Sequence, residues 1–303
     1  MQKKSTWGWS ALIAILVIVL VAALVPWKSI GSRQKPIRVV TGMDFYGEVA
    51  KQIAGSHGQV TSFINNPSVD PHDYQLGTKE ARAGGNANVV VENGLGYDQW
   101  MNKLTRANAG QNAKIINVGQ LAGKKVGDNE HIWYQPATME KLAHRLAKQY
   151  SKLDPEHAAD YQQNAQSYLA SLRPLKQEIN QVKRQVNPNN RQVAVSEPVF
   201  DYALSNLGYQ VMDRHFAKAV EDGSDPSPKD IAELQAAIKN HQIAFFVNNS
   251  QASDSVVKNL VKLAQQNNVP VLNVTETKPK GKTYTEWMLN QYKALAAIQK
   301  REQ

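Results

Sequence analysis

Four side chains in this sequence have the types and settings that suit a bound cation. His72 lies in Val69-Asp70-Pro71-His72-Asp73-Tyr74, and His131 in His131-Ile132-Trp133-Tyr134-Gln135-Pro136. Each imidazole falls on a loop ahead of a helical pattern, beside proline and aromatic residues that stiffen the loop. Glu197 follows the apolar run Gln192–Ser196 directly, and Glu276 follows the run Val271–Val274. Singly, each has a plain alternative: a hydrogen-bonded loop histidine, or a solvated glutamate. Together, two carboxylates neutralise a divalent ion and two neutral imidazoles complete its shell. The other histidines sit in turns, loops or polar helix faces with no partner at a ligand spacing.

These residues need a scaffold that brings distant loops to one place. Short β-rich runs at Ile37–Val40, Val60–Ile64, Val89–Val91 and Lys114–Asn117 alternate with helical patterns at Phe45–Ala54, Lys79–Gly84 and Tyr97–Ala107. A second series has strands at Gln192–Ser196, Tyr209–Met212, Ile243–Val247 and Val271–Val274. Its helices are expected at Val199–Asn206, Pro228–Lys239, Ser253–Gln266 and Tyr284–Lys300. Such alternation predicts an α/β protein with two parallel-sheet lobes. In open α/β sheets the crevice lies at the carboxyl ends of the strands, where the two glutamates fall.

Between the halves, Tyr161, Ala165, Tyr168, Leu172, Leu175, Ile179, Val182 and Val186 recur at steps of three and four. This is a one-sided apolar stripe on a helix, expected to run from Pro155 to Val186 and to bend at Pro174. The chain therefore divides into 1–35, 36–150 (first lobe), 151–187 (linker helix) and 188–303 (second lobe).

The first 35 residues differ from the rest. Lys3 and Lys4 precede 23 uncharged residues that include the apolar run Ala11–Val25, bracketed by Trp7, Trp9 and Trp27. This pattern predicts a signal segment or a retained membrane helix, with the remainder outside the membrane. The net charge of +9 owes five basic residues to this segment, which carries no acid. The excess elsewhere is modest and makes no basic stripe, so nucleic-acid binding is not expected. With no cysteine, disulfides, thiolate metal sites and cysteine nucleophiles are excluded. There is no H-E-x-x-H, G-x-S-x-G, P-loop or G-x-G-x-x-G motif, and Gly94-Leu95-Gly96 alone makes no nucleotide site. The sequence is thus read as a binding protein and not an enzyme.

The segments Asn88–Tyr97, Val69–Tyr74, His131–Pro136, Ser196–Tyr202, Asp225–Asp230 and Gly281–Tyr284 resemble the manganese/zinc solute-binding proteins of bacterial ABC importers. The resemblance covers residues 37–300. It implies two Rossmann-like lobes joined by a long rigid helix, with a metal between them. It maps the ligands onto His72, His131, Glu197 and Glu276; the last stands where relatives usually have Asp. It implies Mn²⁺ or Zn²⁺ as cargo, an ABC permease as partner, and a monomer on the extracytoplasmic face of the cell membrane, held to the bilayer by its N-terminal helix or secreted if that is cleaved. The donor set leans to Mn²⁺, and affinity is expected to fall below about pH 6 as imidazoles protonate. Other readings are an adhesin-type surface protein with a structural metal, a receptor for a haem or siderophore chelate, and a metal-dependent hydrolase.

Overall fold

The structure, a computed structural model, describes residues 36–107, 113–252 and 254–301. The expected N-terminal membrane helix lies outside the described residues; among those described, no helix is long and apolar enough to cross a membrane.

Eight strands form two four-stranded parallel sheets. The first holds β1 (Ile37–Met43), β2 (Gly58–Ile64), β3 (Val89–Glu92) and β4 (Lys114–Asn117), in the order β2-β1-β3-β4. The second holds β5 (Gln192–Val195), β6 (Gln210–Val211), β7 (Phe246–Asn249) and β8 (Val271–Val274), in the order β6-β5-β7-β8. In both, neighbours pair in parallel, as in Val90 opposite Ile115 and Val247 opposite Leu272. Strand β3 is buried along its whole length, as a central parallel strand covered on both faces must be.

Helices α1 (Asp44–Ala54), α2 (Thr78–Gly85), α3 (Gln99–Ala107), α4 (Val118–Ala122) and α5 (Thr138–Leu153) belong to the first lobe. Helix α1 lies very close to β2: a Cβ on Gly47 would stand 1.9 Å from Ser62 Oγ, so only glycine fits there. The linker is not the single helix the apolar stripe predicts. It is α6 (Ala158–Ser171) and α7 (Arg173–Arg184), separated at Leu172. Pro174 stands in the first turn of α7, where its missing N–H costs nothing; inside a continuous helix it would leave a carbonyl unpaired. The stripe still holds, since Tyr161, Tyr168, Leu175, Ile179 and Val182 are all buried.

The second lobe adds α8 (Asp201–Leu207), α9 (Arg214–Glu221), α10 (Pro228–Lys239), α11 (Ser255–Gln266) and α12 (Tyr284–Gln299). Helix α9 is absent from the sequence reading, and strand β7 sits three residues later at its start than expected. Ser227 caps α10 by accepting from Asp230 N at 3.1 Å, and its own hydroxyl donates to Asp230 Oδ2 at 2.7 Å. Thr283 and Glu286 make the reciprocal box at the start of α12.

An aromatic seam closes the space between the sheets. Phe45 packs against Trp133 and Trp287, and Tyr134 against Phe200 and Trp287. Polar links cross the same seam. Tyr284 OH donates to Trp133 O at 2.6 Å, Tyr134 OH to Thr275 O at 2.6 Å, and Lys278 pairs with Asp44 at 2.9 Å.

Candidate metal site

All the residues in question lie beyond the carboxyl ends of strands. The loop after β2 carries His72, the turn after β3 carries Tyr97, and the segment after α4 carries His131. Glu197 comes two residues after β5, and Glu276 two after β8.

The turn after β3 shows how sequence builds the site. Asp98 accepts from Asn93 N at 2.7 Å and from Gly94 N at 2.8 Å. Its carboxylate thus folds the chain back on itself, with Gly94, Leu95 and Gly96 all at positive φ. The two glycines adopt that geometry without cost, and the result swings Tyr97 into the crevice. Tyr97 is 1% exposed. It meets His72 edge-on at 5.1 Å and His131 at 6.2 Å between ring centroids, and its hydroxyl donates to Glu276 Oε1 at 2.8 Å. One phenol therefore touches three of the four candidates.

His131 is buried at 1% exposure. Its Nδ1 lies 2.9 Å from Asn129 Oδ1, which also accepts from His131 N at 2.8 Å. Asn129 is itself held by the far lobe, donating to Pro198 O at 2.7 Å, while Tyr202 OH donates to Asn129 O at 2.8 Å. An Nδ1–H bonded to Asn129 leaves the Nε2 lone pair free for a cation. Burial, with repulsion from His72 and Lys218 added, lowers the His131 pKa to about 3. The ring stays neutral well below the pH at which an ordinary imidazole protonates. His131 therefore does not supply the loss of affinity expected near pH 6.

His72 is held at its backbone by Asp70 Oδ1 at 2.9 Å, and its Nε2 lies 3.2 Å from Glu130 Oε1. Its loop is tied to the second lobe through Pro67 O, which accepts from Gln251 Nε2 at 2.7 Å and Thr277 Oγ1 at 3.0 Å. Glu197 accepts from Asn249 Nδ2 at 2.5 Å. Glu276 is pushed up to about 8, first by desolvation in the crevice, with Glu197, Asp70 and Glu130 raising it further. Desolvation also raises Glu197, and lifts Glu130 to about 7. These carboxylates crowd one space, and Lys218, which pulls Glu130 down, does not offset the desolvation.

His72, His131 and Glu276 are thus gathered around Tyr97, and Glu197 lies close enough to raise Glu276. Among the described residues, no three His, Asp or Glu side chains meet in a ready-made coordination sphere. Several residues that shape the site escape sequence reasoning. Tyr97 depends on a left-handed turn, Asn249 on the end of β7, and Glu221 on a helix not foreseen. Glu130, next to His131, had the clearest signal. A cavity of about 420 Å³ opens here, lined by Asp70, His72, Gln99, Glu130, Lys218 and Glu221 among others. A larger one, about 610 Å³, lies near Asn190, Pro270 and Arg301 at the amino ends of strands of the second sheet, away from these groups.

Comparison with known proteins points one way. The family model described as zinc-uptake complex component A, periplasmic, matches residues 39–298. The iron-binding protein YfeA of Yersinia pestis is 24% identical over 237 residues, 75% of this chain and 74% of that protein. The manganese-binding lipoprotein MntA of Halalkalibacterium halodurans is 24% identical over 220 residues, 69% of this chain and 71% of the other. Among solved structures, the periplasmic zinc-binding protein TroA of Treponema pallidum aligns with a TM-score of 0.72 at 20% identity, over 88% of this chain and 99% of that one.

Proposed function

The chain belongs to the periplasmic zinc-uptake component A family, and from that premise we propose that it captures a divalent transition metal outside the membrane and delivers it to an ABC permease. The cargo is Mn²⁺ or Zn²⁺, taken by His72 and His131 from the first lobe and Glu197 and Glu276 from the second. The chain acts as a monomeric binding protein and not an enzyme, and its first 35 residues tie it to the bilayer. Residues 36–150 and 188–303 serve as the two lobes, and 151–187 as the link between them.

The observation that carries this reading is the position of Tyr97, against both imidazoles and hydrogen-bonded to Glu276. It gathers borderline nitrogen and hard oxygen donors from both lobes into one crevice, the mixture that suits first-row divalent ions. A bare ion fits better than a chelate. The aromatics that would line a haem or siderophore cleft are committed elsewhere: Trp133 and Tyr134 are buried in the seam, and Tyr74 packs on Trp100.

The test is elemental analysis and titration calorimetry on the full-length protein in detergent, stripped with a chelator and reloaded. One Mn²⁺ or Zn²⁺ per chain is expected, with loading lost in His72→Ala and Glu197→Ala. If both variants bind one ion with unchanged affinity, the ligand assignment is wrong.

A further inference from the structure

Helix α9 delivers a carboxylate that the ligand set above does not use. Glu221, its last residue, has a side chain only 12% exposed. Lys218, one turn earlier, holds Glu221 Oε2 at 3.1 Å and also pairs with Asp222. The other oxygen, Oε1, is buried and accepts no hydrogen bond. It faces the imidazole of His131, with Nδ1 3.6 Å away. That is too long for a hydrogen bond, and Nδ1 already has Asn129. Across the same cavity His72 Nε2 lies beside Glu130.

A buried carboxylate oxygen without a donor costs about 1–3 kcal/mol or more, so such atoms are rare unless a partner is absent. Here the bare oxygen lies beside one candidate ligand, in a cavity lined by the other candidate histidine. Lys218 balances one oxygen and leaves the second available.

We propose that Glu221 Oε1 is a fifth protein ligand of the captured cation, and that it biases the site toward Mn²⁺ over Zn²⁺. The proposal rests on the reading of the site given above and deepens it. Zn²⁺ is satisfied by four ligands in a tetrahedron, whereas Mn²⁺ takes more donors and favours oxygen. An added anionic oxygen therefore raises Mn²⁺ affinity more than Zn²⁺ affinity.

The experiment compares full-length wild type, Glu221→Gln and Glu221→Asp, metal-stripped in detergent and titrated separately with MnCl₂ and ZnCl₂. His72→Ala and Glu197→Ala run in parallel, and Mn²⁺ electron paramagnetic resonance reads the coordination environment. Glu221→Gln should lose about tenfold or more in Mn²⁺ affinity and at most about threefold for Zn²⁺, with a changed Mn²⁺ spectrum. Glu221→Asp keeps the charge but withdraws the carboxylate by one methylene. It should also bind Mn²⁺ more weakly, and it decides the matter if Glu221→Gln folds poorly. Wild-type Mn²⁺ affinity in Glu221→Asp would reduce Glu221 to a distant charge and overturn the proposal. If His72→Ala and Glu197→Ala lose the metal while neither Glu221 variant does, the four-ligand reading survives and this inference falls. If wild type itself loads no ion, both fall together.

Discussion

Gly94 is where the site is most sensitive to a single atom. Its φ is +75°, and a Cβ there would stand 2.3 Å from Asn117 Nδ2. Gly94→Ala should cost about 2 kcal/mol or more in denaturant unfolding, through backbone strain and the clash together. It should also weaken metal binding, because the turn it distorts positions Tyr97. Asp201 gives a prediction of a different kind. Its Oδ1 is buried without a partner, and desolvation pushes its pKa up to about 6 despite Arg214. A raised carboxyl pKa means the folded state holds the proton more tightly than the unfolded chain. Its stabilising contribution is complete below about pH 4 and is lost as pH rises through about 6. Asp201→Asn removes this titration. The melting temperature of the variant should rise relative to wild type between pH 4 and pH 7, by no more than about 1.4 kcal/mol per pH unit in stability. An unchanged difference across that range would show that Asp201 does not titrate there.

At the scale of elements, the linker pair α6 and α7 presents its apolar stripe to the rest of the molecule, with α7 lying against α12. Ile179, 6% exposed on α7, is part of that buried stripe. Ile179→Ala should destabilise the protein by about 2–4 kcal/mol in chemical denaturation and leave metal affinity unchanged. The stripe was readable because periodicity reports burial directly. The break at Leu172 was only half readable: Pro174 marks a disturbance, but a bend and a restart look alike in sequence. Parallel strands were legible from short β-branched runs, and the carboxyl-end rule then drew attention to Glu197 and Glu276. Helix α9 was not legible. Only Phe216 and Ala217 are buried along it, too few for a periodic signal in eight residues. With the helix went Glu221. Tyr97 was hidden for another reason: a tyrosine in a glycine-containing turn is unremarkable until the fold places both histidines beside it.

For the whole molecule, the aromatic seam and its polar cross-links hold the two sheets together through protein contacts. We therefore expect metal-stripped protein to keep a cooperative thermal transition. A cation at about 100 times its dissociation constant adds about 2.7 kcal/mol, which for a chain of this size is roughly 4–5 °C in melting temperature. Collapse of the transition on chelation would instead favour a structural metal, as an adhesin-type reading requires. Small-angle scattering should give the same radius of gyration with and without metal, because a seam of packed rings resists wide opening.

Pro67 has a consequence for how the ion leaves. Its carbonyl, on the strap that carries His72, is gripped by Gln251 and Thr277 from across the crevice. With His72 as the proposed ligand, outward movement of its loop is expected to require release of that grip. Thr277→Val should hasten both entry of the ion and its escape into an excess of fluorescent chelator; equal escape rates would dismiss the latch. A transporter that pried the strap loose at Pro67 would unload its passenger only at the dock.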